Sequence, residues 1–217
     1  RRSCRPTGAS RGVTLSTLHQ STLGTLYLII LYRLDPRWYT ALLPVLFYVS
    51  SIMAGLSMAV IAYRIAARIH AADEDVPAIQ GLMVGAAYMG LLYLGLRLVA
   101  LWLVGALPLL QANDPLNWLL AAELGLGVLL PAAMILIPAG RKQSWVQWVA
   151  PLLMMGGVAL NRFDATLFAQ HVPADGVVYI PHIMEWLSTI GILSGAALVW
   201  YLCVQFLVNL RQHSHAQ

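Results

Sequence analysis

Three residues break the apolar runs of this chain in ways that ask for a chemical explanation. His19, in Thr17-Leu18-His19-Gln20-Ser21-Thr22, is the only histidine well inside a candidate span. Leu15, Ser16, Thr22 and Leu23 share its helix face at three- and four-residue spacing, and Gln20 is its neighbour. An imidazole in that setting can hydrogen-bond a quinone carbonyl and exchange a proton near neutral pH. The competing reading is a histidine bonded to another helix for packing. Arg97 and Glu123 form the second case. Each interrupts an apolar run, 13 residues before and 13 residues after Leu110. If the chain turns near Leu110, a rise of about 1.5 Å per residue puts both at one depth. An unpaired charge there is costly, and a paired one much less so. The pair is therefore expected to form a buried ion pair, either to fix helix register or as part of a proton path. Third are Arg162 and Asp164 in Asn161-Arg162-Phe163-Asp164, with Glu185 after Tyr179-Ile180-Pro181-His182. They read as a polar cluster on the periplasmic side of the membrane. The plainer alternatives are Arg162 snorkelling to the headgroups with Asp164 paired to it, and Glu185 capping the start of the last span, where an acid complements the helix dipole.

The elements that position these residues are long and apolar. The chain is 59% hydrophobic and only 10% charged over 217 residues, where soluble domains carry about 25% charge. Its mean hydropathy is +0.72. A bilayer core takes about 20 apolar residues per helix. The runs are too continuous for the alternating strands of a barrel. The fold class expected is an all-α integral membrane protein with six transmembrane helices, at Val13–Tyr32, Trp38–Arg68, Ala78–Ala106, Pro115–Ala139, Ser144–Ala169 and Glu185–Leu210. Pro36, Pro108, Pro115, Pro173 and Pro181 punctuate the connections. Gly81/Gly85 and Gly191/Gly195 have the spacing of close helix packing, and Thr17/Ser21/Thr25 form a small-residue stripe.

The net charge of +4 does not indicate nucleic acid, because the cations lie in short segments between apolar runs. Nine lysines and arginines fall on one side of the expected topology. Three, Arg33, Arg37 and Arg162, fall on the other. That asymmetry predicts cytoplasmic termini and a periplasmic 171–184 segment. Cys4 and Cys203 form neither a disulfide framework nor a thiolate metal site, and no metal site is expected. His19 has no histidine partner inside a span, so no haem is expected, and two distant cysteines do not ligate an iron–sulfur cluster. Residues 1–12 are basic and resemble no domain; they are expected to be non-native or truncated, followed by a transmembrane domain over 13–210 and a cytoplasmic tail at 211–217.

The run Leu15-Ser16-Thr17-Leu18-His19-Gln20-Ser21-Thr22-Leu23-Gly24-Thr25-Leu26 resembles a helix of the NrfD/polysulfide-reductase membrane-subunit family, and within it the HybB-type membrane subunits of nickel–iron hydrogenase-2. The resemblance continues through Trp38-Tyr39-Thr40, Leu43-Pro44, Glu123-Leu124-Gly125-Leu126-Gly127-Val128 with Pro131, Leu160-Asn161-Arg162, and Tyr179-Ile180-Pro181 with Glu185. It implies two four-helix bundles in a full-length member. Here it implies a C-terminal fragment with one four-helix bundle plus flanking helices. It further implies an inner-membrane subunit that exchanges electrons with menaquinone or ubiquinone, with His19 and Gln20 at the quinone. Its expected partners are a periplasmic ferredoxin-like iron–sulfur subunit and a catalytic subunit such as a hydrogenase or molybdoenzyme. The alternative is a membrane anchor that docks a periplasmic electron-transfer protein without quinone chemistry of its own.

Overall fold

A computed structural model describes residues 19, 22–29, 34–70, 73–111, 114–169 and 182–215, with 207–215 by backbone alone. The chain divides into two compact units, residues 1–172 and 173–217. The first unit is built on four long helices: α1 (Leu43–Ile69), α2 (Val76–Leu103), α3 (Pro115–Leu136) and α4 (Val146–Phe163). Neighbours pack as α1 on α2, α2 on α3, α3 on α4 and α4 on α1. The ring closes into an antiparallel four-helix bundle. The second unit is one helix, α5 (Ile183–His215).

The helix ends follow from local chemistry. Pro44 sits in the first turn of α1, where its missing N–H costs nothing. Asp75 caps α2 by accepting from the Ala78 N–H at 3.1 Å, and Asp114 caps α3 by accepting from the Leu116 N–H at 3.0 Å. α2 ends at Gly105, whose φ of 70° only glycine adopts easily. These signals move the expected boundaries. The helix expected from Trp38 begins at Leu43, because residues 36–38 form a turn. The one expected to reach Ala139 stops at Leu136, where Ile137 turns extended before Pro138 and a single further turn follows.

The bundle holds polar and charged groups inside an otherwise apolar core and is apolar outside. Arg97, Glu123, Asn161, Asp164 and Ser50 are buried, while Leu92, Leu98, Val99 and Trp102 on α2 are 47–68% exposed. Water would penalise that arrangement, whereas hydrocarbon accepts it. Among the described residues, four helices are long and apolar enough to cross a membrane: α1, α2, α3 and Ile183–Phe206 of α5. α4 is diluted by Gln147, Pro151, Asn161 and Arg162. The chain is an integral membrane protein with several apolar helices.

Between lipid-facing helices there is no hydrophobic gain from association, so close van der Waals contact must hold them. The tightest approach is Gly127 of α3 on Gly157 of α4: a Cβ on either would lie 2.5 Å from the other's Cα. The expected Gly81/Gly85 pair plays no such part in this unit: nothing among the described residues lies within 4 Å of where a Cβ would stand at Gly81, and Gly85 meets only a leucine methyl at 3.5 Å. Gly157→Val is expected to destabilise the bundle by about 1–3 kcal/mol through overpacking, read as a lowered thermal midpoint in detergent. Gly81→Ala is expected to leave it unchanged.

Candidate functional site

One turn from that glycine contact, the close approach brings polar side chains together. Glu123 and Gly127 are four residues apart on α3, as are Gly157 and Asn161 on α4, so the antiparallel crossing faces Asn161 with Glu123. The Asn161 amide donates to Glu123 Oε1 at 3.1 Å. Tyr93, one turn before Arg97 on α2, donates its hydroxyl to the same oxygen at 2.5 Å. Arg97 NH2 lies 3.7 Å from Glu123 Oε2, with both side chains 1% exposed. The structure thus brings Arg97 and Glu123 together as an ion pair, held by a phenol and an amide. The pair is a loose one. Among the described residues, Arg97 Nε and NH2 and Glu123 Oε2 have no hydrogen-bond partner.

Backbone irregularity surrounds this network. α3 widens into a π-helix over Ala122–Leu129, beginning one residue before Glu123, and α4 continues as a π-turn over Asp164–Phe168. Such turns are uncommon and recur where side chains must be re-aimed at a site. Asp164 is fully buried, and neither of its carboxylate oxygens has a hydrogen-bond partner among the described residues. Arg97 and Glu123 both lie within its electrostatic range.

The expected pairing of Asp164 with Arg162 does not form. Residues two apart on a helix point to different faces. Arg162 instead crosses to α1, donating to the Phe47 carbonyl at 3.0 Å and to Ser50 Oγ at 3.1 Å. Its guanidinium stacks 3.4 Å from the Phe47 ring centre. Glu185 stands in the first turn of α5, a position that suits its negative charge.

His19 is helical and exposed; it is not part of the buried network. Gln20 lies outside the described residues. Further along the same segment, Gly24 abuts Pro44, where a Cβ would come within 2.6 Å of the proline Cα. Tyr27 packs its ring 5.7 Å from that of Phe47. This segment therefore leans on the start of α1, beside Arg162.

A second polar group closes the same end of the bundle. Trp38 is completely buried, with the Arg97 guanidinium 5.6 Å from its ring. The loop carrying it is tied down on both sides. The Asp35 N–H donates to the Ala169 carbonyl at 2.8 Å. Arg37 bonds Asn117 Oδ1 at 3.0 Å, pairs with Asp35 at 3.3 Å, and donates to Asp114. The Arg37 guanidinium and the Leu116 N–H hold the Asp114 carboxyl below its ordinary range. A depressed carboxyl pKa contributes stability that is present above the ordinary carboxylate range and is lost as pH falls through the folded value. The thermal midpoint is accordingly expected to drop on acidification below that range. Asp114→Asn, which keeps the cap, should remove its part of that dependence in a pH series of melts.

Sequence reasoning missed Tyr93, Ser50, Trp38 and the Arg37 clasp. Tyr93 carried a usable signal, being four residues from Arg97 on one helix face. The clasp did not, because its partners are 77 and 80 residues away in sequence. No cluster of three or more metal-ligating side chains occurs among the described residues.

An antiparallel membrane bundle with a buried ionisable network defines a class of polytopic helical membrane proteins whose interior is built around charge. Within that class, residues 11–174 match the family described as Polysulphide reductase, NrfD, and the chain belongs to that family. It is 32% identical over 214 residues to a protein of Nitratidesulfovibrio vulgaris (strain Hildenborough) whose description states no activity, covering 93% of this chain and 54% of the relative. It is also 32% identical over 95 residues to a protein of the same organism described as menaquinone reductase, integral membrane subunit, covering 42% of this chain and 23% of that one. The chain spans about half the length of the first relative and less of the second. No solved structure matches it.

Proposed function

We propose that this chain is part of a quinone-interacting membrane subunit of a multi-subunit oxidoreductase of the hydrogenase type. The observation that carries the reading is the buried network of Tyr93, Arg97, Glu123, Asn161 and Asp164 in a member of the NrfD family. Ionisable groups are costly inside a membrane and by default mark functional positions. Each quinone reduced takes up a pair of electrons and a pair of protons. Electrons would pass between a periplasmic ferredoxin-like iron–sulfur subunit and menaquinone or ubiquinone. A hydrogenase or molybdoenzyme would stand beyond that subunit.

In this reading the chain crosses the bacterial inner membrane six times with both termini cytoplasmic. That orientation puts the Arg37 clasp on the periplasmic side. Glu123 is eight residues into α3, about 12 Å below that end, within reach of a quinone near the outer leaflet. Glu123 and Asp164 hold and pass protons. Arg97, Tyr93 and Asn161 fix Glu123. His19 and Gln20 form one wall of the quinone site.

The test is quinone turnover by the full-length subunit assembled with its partners. His19→Ala is expected to lower the rate at least about a hundredfold, the lower end of the usual range for a positioned acid–base group. Unchanged turnover would remove His19 from the mechanism.

A further inference from the structure

A cavity of about 430 Å³ opens beside the first turns of α3. Its walls are Leu110, Leu120, Ala121, Leu124 and Trp118, and its polar end is formed by Asp114 and Asn117. The volume lies in the range of small-molecule sites, and so does the pattern of apolar walls with a few placed polar groups. Trp118 is 74% exposed and Leu110 38%, so the cavity opens sideways, where the membrane lies. Leu120, by contrast, is buried and belongs to the core packed around Trp38 and Leu43. The inner wall of the cavity is therefore a core residue, one turn before Glu123 on α3.

The polar end selects the occupant. Asp114 accepts from Arg37 through one oxygen and from the Leu116 N–H through the other. A carboxylate oxygen has two acceptor positions, so each retains one. Arg37 is flanked by two carboxylates, Asp35 and Asp114, so among the described residues this group behind the polar end carries a net negative charge. An anionic phospholipid headgroup would be repelled there. An oxidised quinone offers only acceptors and would find another acceptor facing it. A hydroquinone offers hydroxyl donors on an apolar ring, with a tail that can leave along Trp118.

We infer that this cavity binds a lipid-soluble hydroquinone, with a ring hydroxyl donating to Asp114 and the ring between Trp118, Ala121 and Leu124. The inference rests on the quinone-linked reading above and adds to it a site on α3, distinct from His19. Asp114 remains ionised well below neutral pH because Arg37 and the Leu116 N–H stabilise its charge, so the acceptor is present under ordinary conditions.

The full-length protein in nanodiscs provides the test, with a short-tailed naphthoquinol and its oxidised form as probes. The quinol is expected to bind about tenfold tighter than the quinone, as one hydrogen bond to a charged acceptor would give. Asp114→Asn should abolish that preference. Ala121→Trp should weaken both forms by at least about tenfold by filling the cavity. A photoreactive quinone analogue on the unmodified protein should label residues 107–124, which keeps the test independent of whether a variant folds. Labelling confined to the segment around His19, or unchanged affinity in a folded Ala121→Trp protein, would overturn the α3 site while leaving quinone binding intact. Competition by phospholipid alone would make it a lipid site. Binding of neither probe by the unmodified protein would overturn both this inference and the quinone-linked reading.

Discussion

Glu123→Leu is expected to cost the folded bundle about 3–5 kcal/mol, the usual penalty for leaving a buried charge without its partner. Arg97 is 1% exposed, and Glu123 is the acid it pairs with. Its Nε already lacks a hydrogen-bond partner among the described residues. Removing the acid would also strand the Tyr93 hydroxyl and the Asn161 amide, which converge on Glu123 Oε1. Arg97→Leu should be about as damaging. The double variant Arg97→Leu/Glu123→Leu should recover part of the loss, because it removes the unpaired buried charge but still strands the Tyr93 hydroxyl and the Asn161 amide. Exchange of the two charges, Arg97→Glu with Glu123→Arg, should rescue assembly in part. Denaturant unfolding of the full-length protein in detergent reads all of these. A Glu123→Leu protein as stable as the unmodified one would show that the pair has no structural weight.

Asp164→Leu is expected to do the opposite to stability and to harm function. A buried carboxyl with no hydrogen-bond partner costs about 1–3 kcal/mol, and an apolar side chain of comparable size removes that cost. The variant should therefore melt higher. If Asp164 passes protons, quinone turnover of the assembled complex should fall at least about tenfold in both Asp164→Leu and Asp164→Asn. Higher stability with lost turnover is the pattern of a residue kept for function. Higher stability with full turnover would remove Asp164 from the proton path, and lower stability would show that it has a partner the described contacts lack.

These two residues also show what the sequence made legible. Arg97 and Glu123 stood out because each interrupts an otherwise apolar run, and equal spacing from Leu110 was enough to set them at one depth. That inference needs only helix rise and a hairpin. The position of Asp164 needed more. Its nearness to Arg162 in sequence suggested a pair, but helix geometry turns the two apart and sends Arg162 to the Phe47 carbonyl. The π-turns at Ala122–Leu129 and Asp164–Phe168 leave no periodic trace that separates them from an α-helix. The Gly127–Gly157 contact was similarly hidden. The sequence offers several glycine pairs, and only the crossing of α3 and α4 decides which is used. Most membrane helices were readable from hydropathy, while their ends were set by Asp75, Gly105 and Asp114. Trp38, which reads as the start of a span, is instead the buried residue of a loop.

The most direct test of the account uses a water-soluble, short-tailed quinone, so that anchoring to the membrane is not itself required for turnover. The iron–sulfur and catalytic partners are assayed with and without the full-length membrane subunit. The account predicts that quinone is reduced, or quinol oxidised, only when the subunit is present, and that Asp164→Asn in that subunit suppresses the reaction with assembly intact. Equal turnover in its absence would contradict the account and leave the subunit as an anchor.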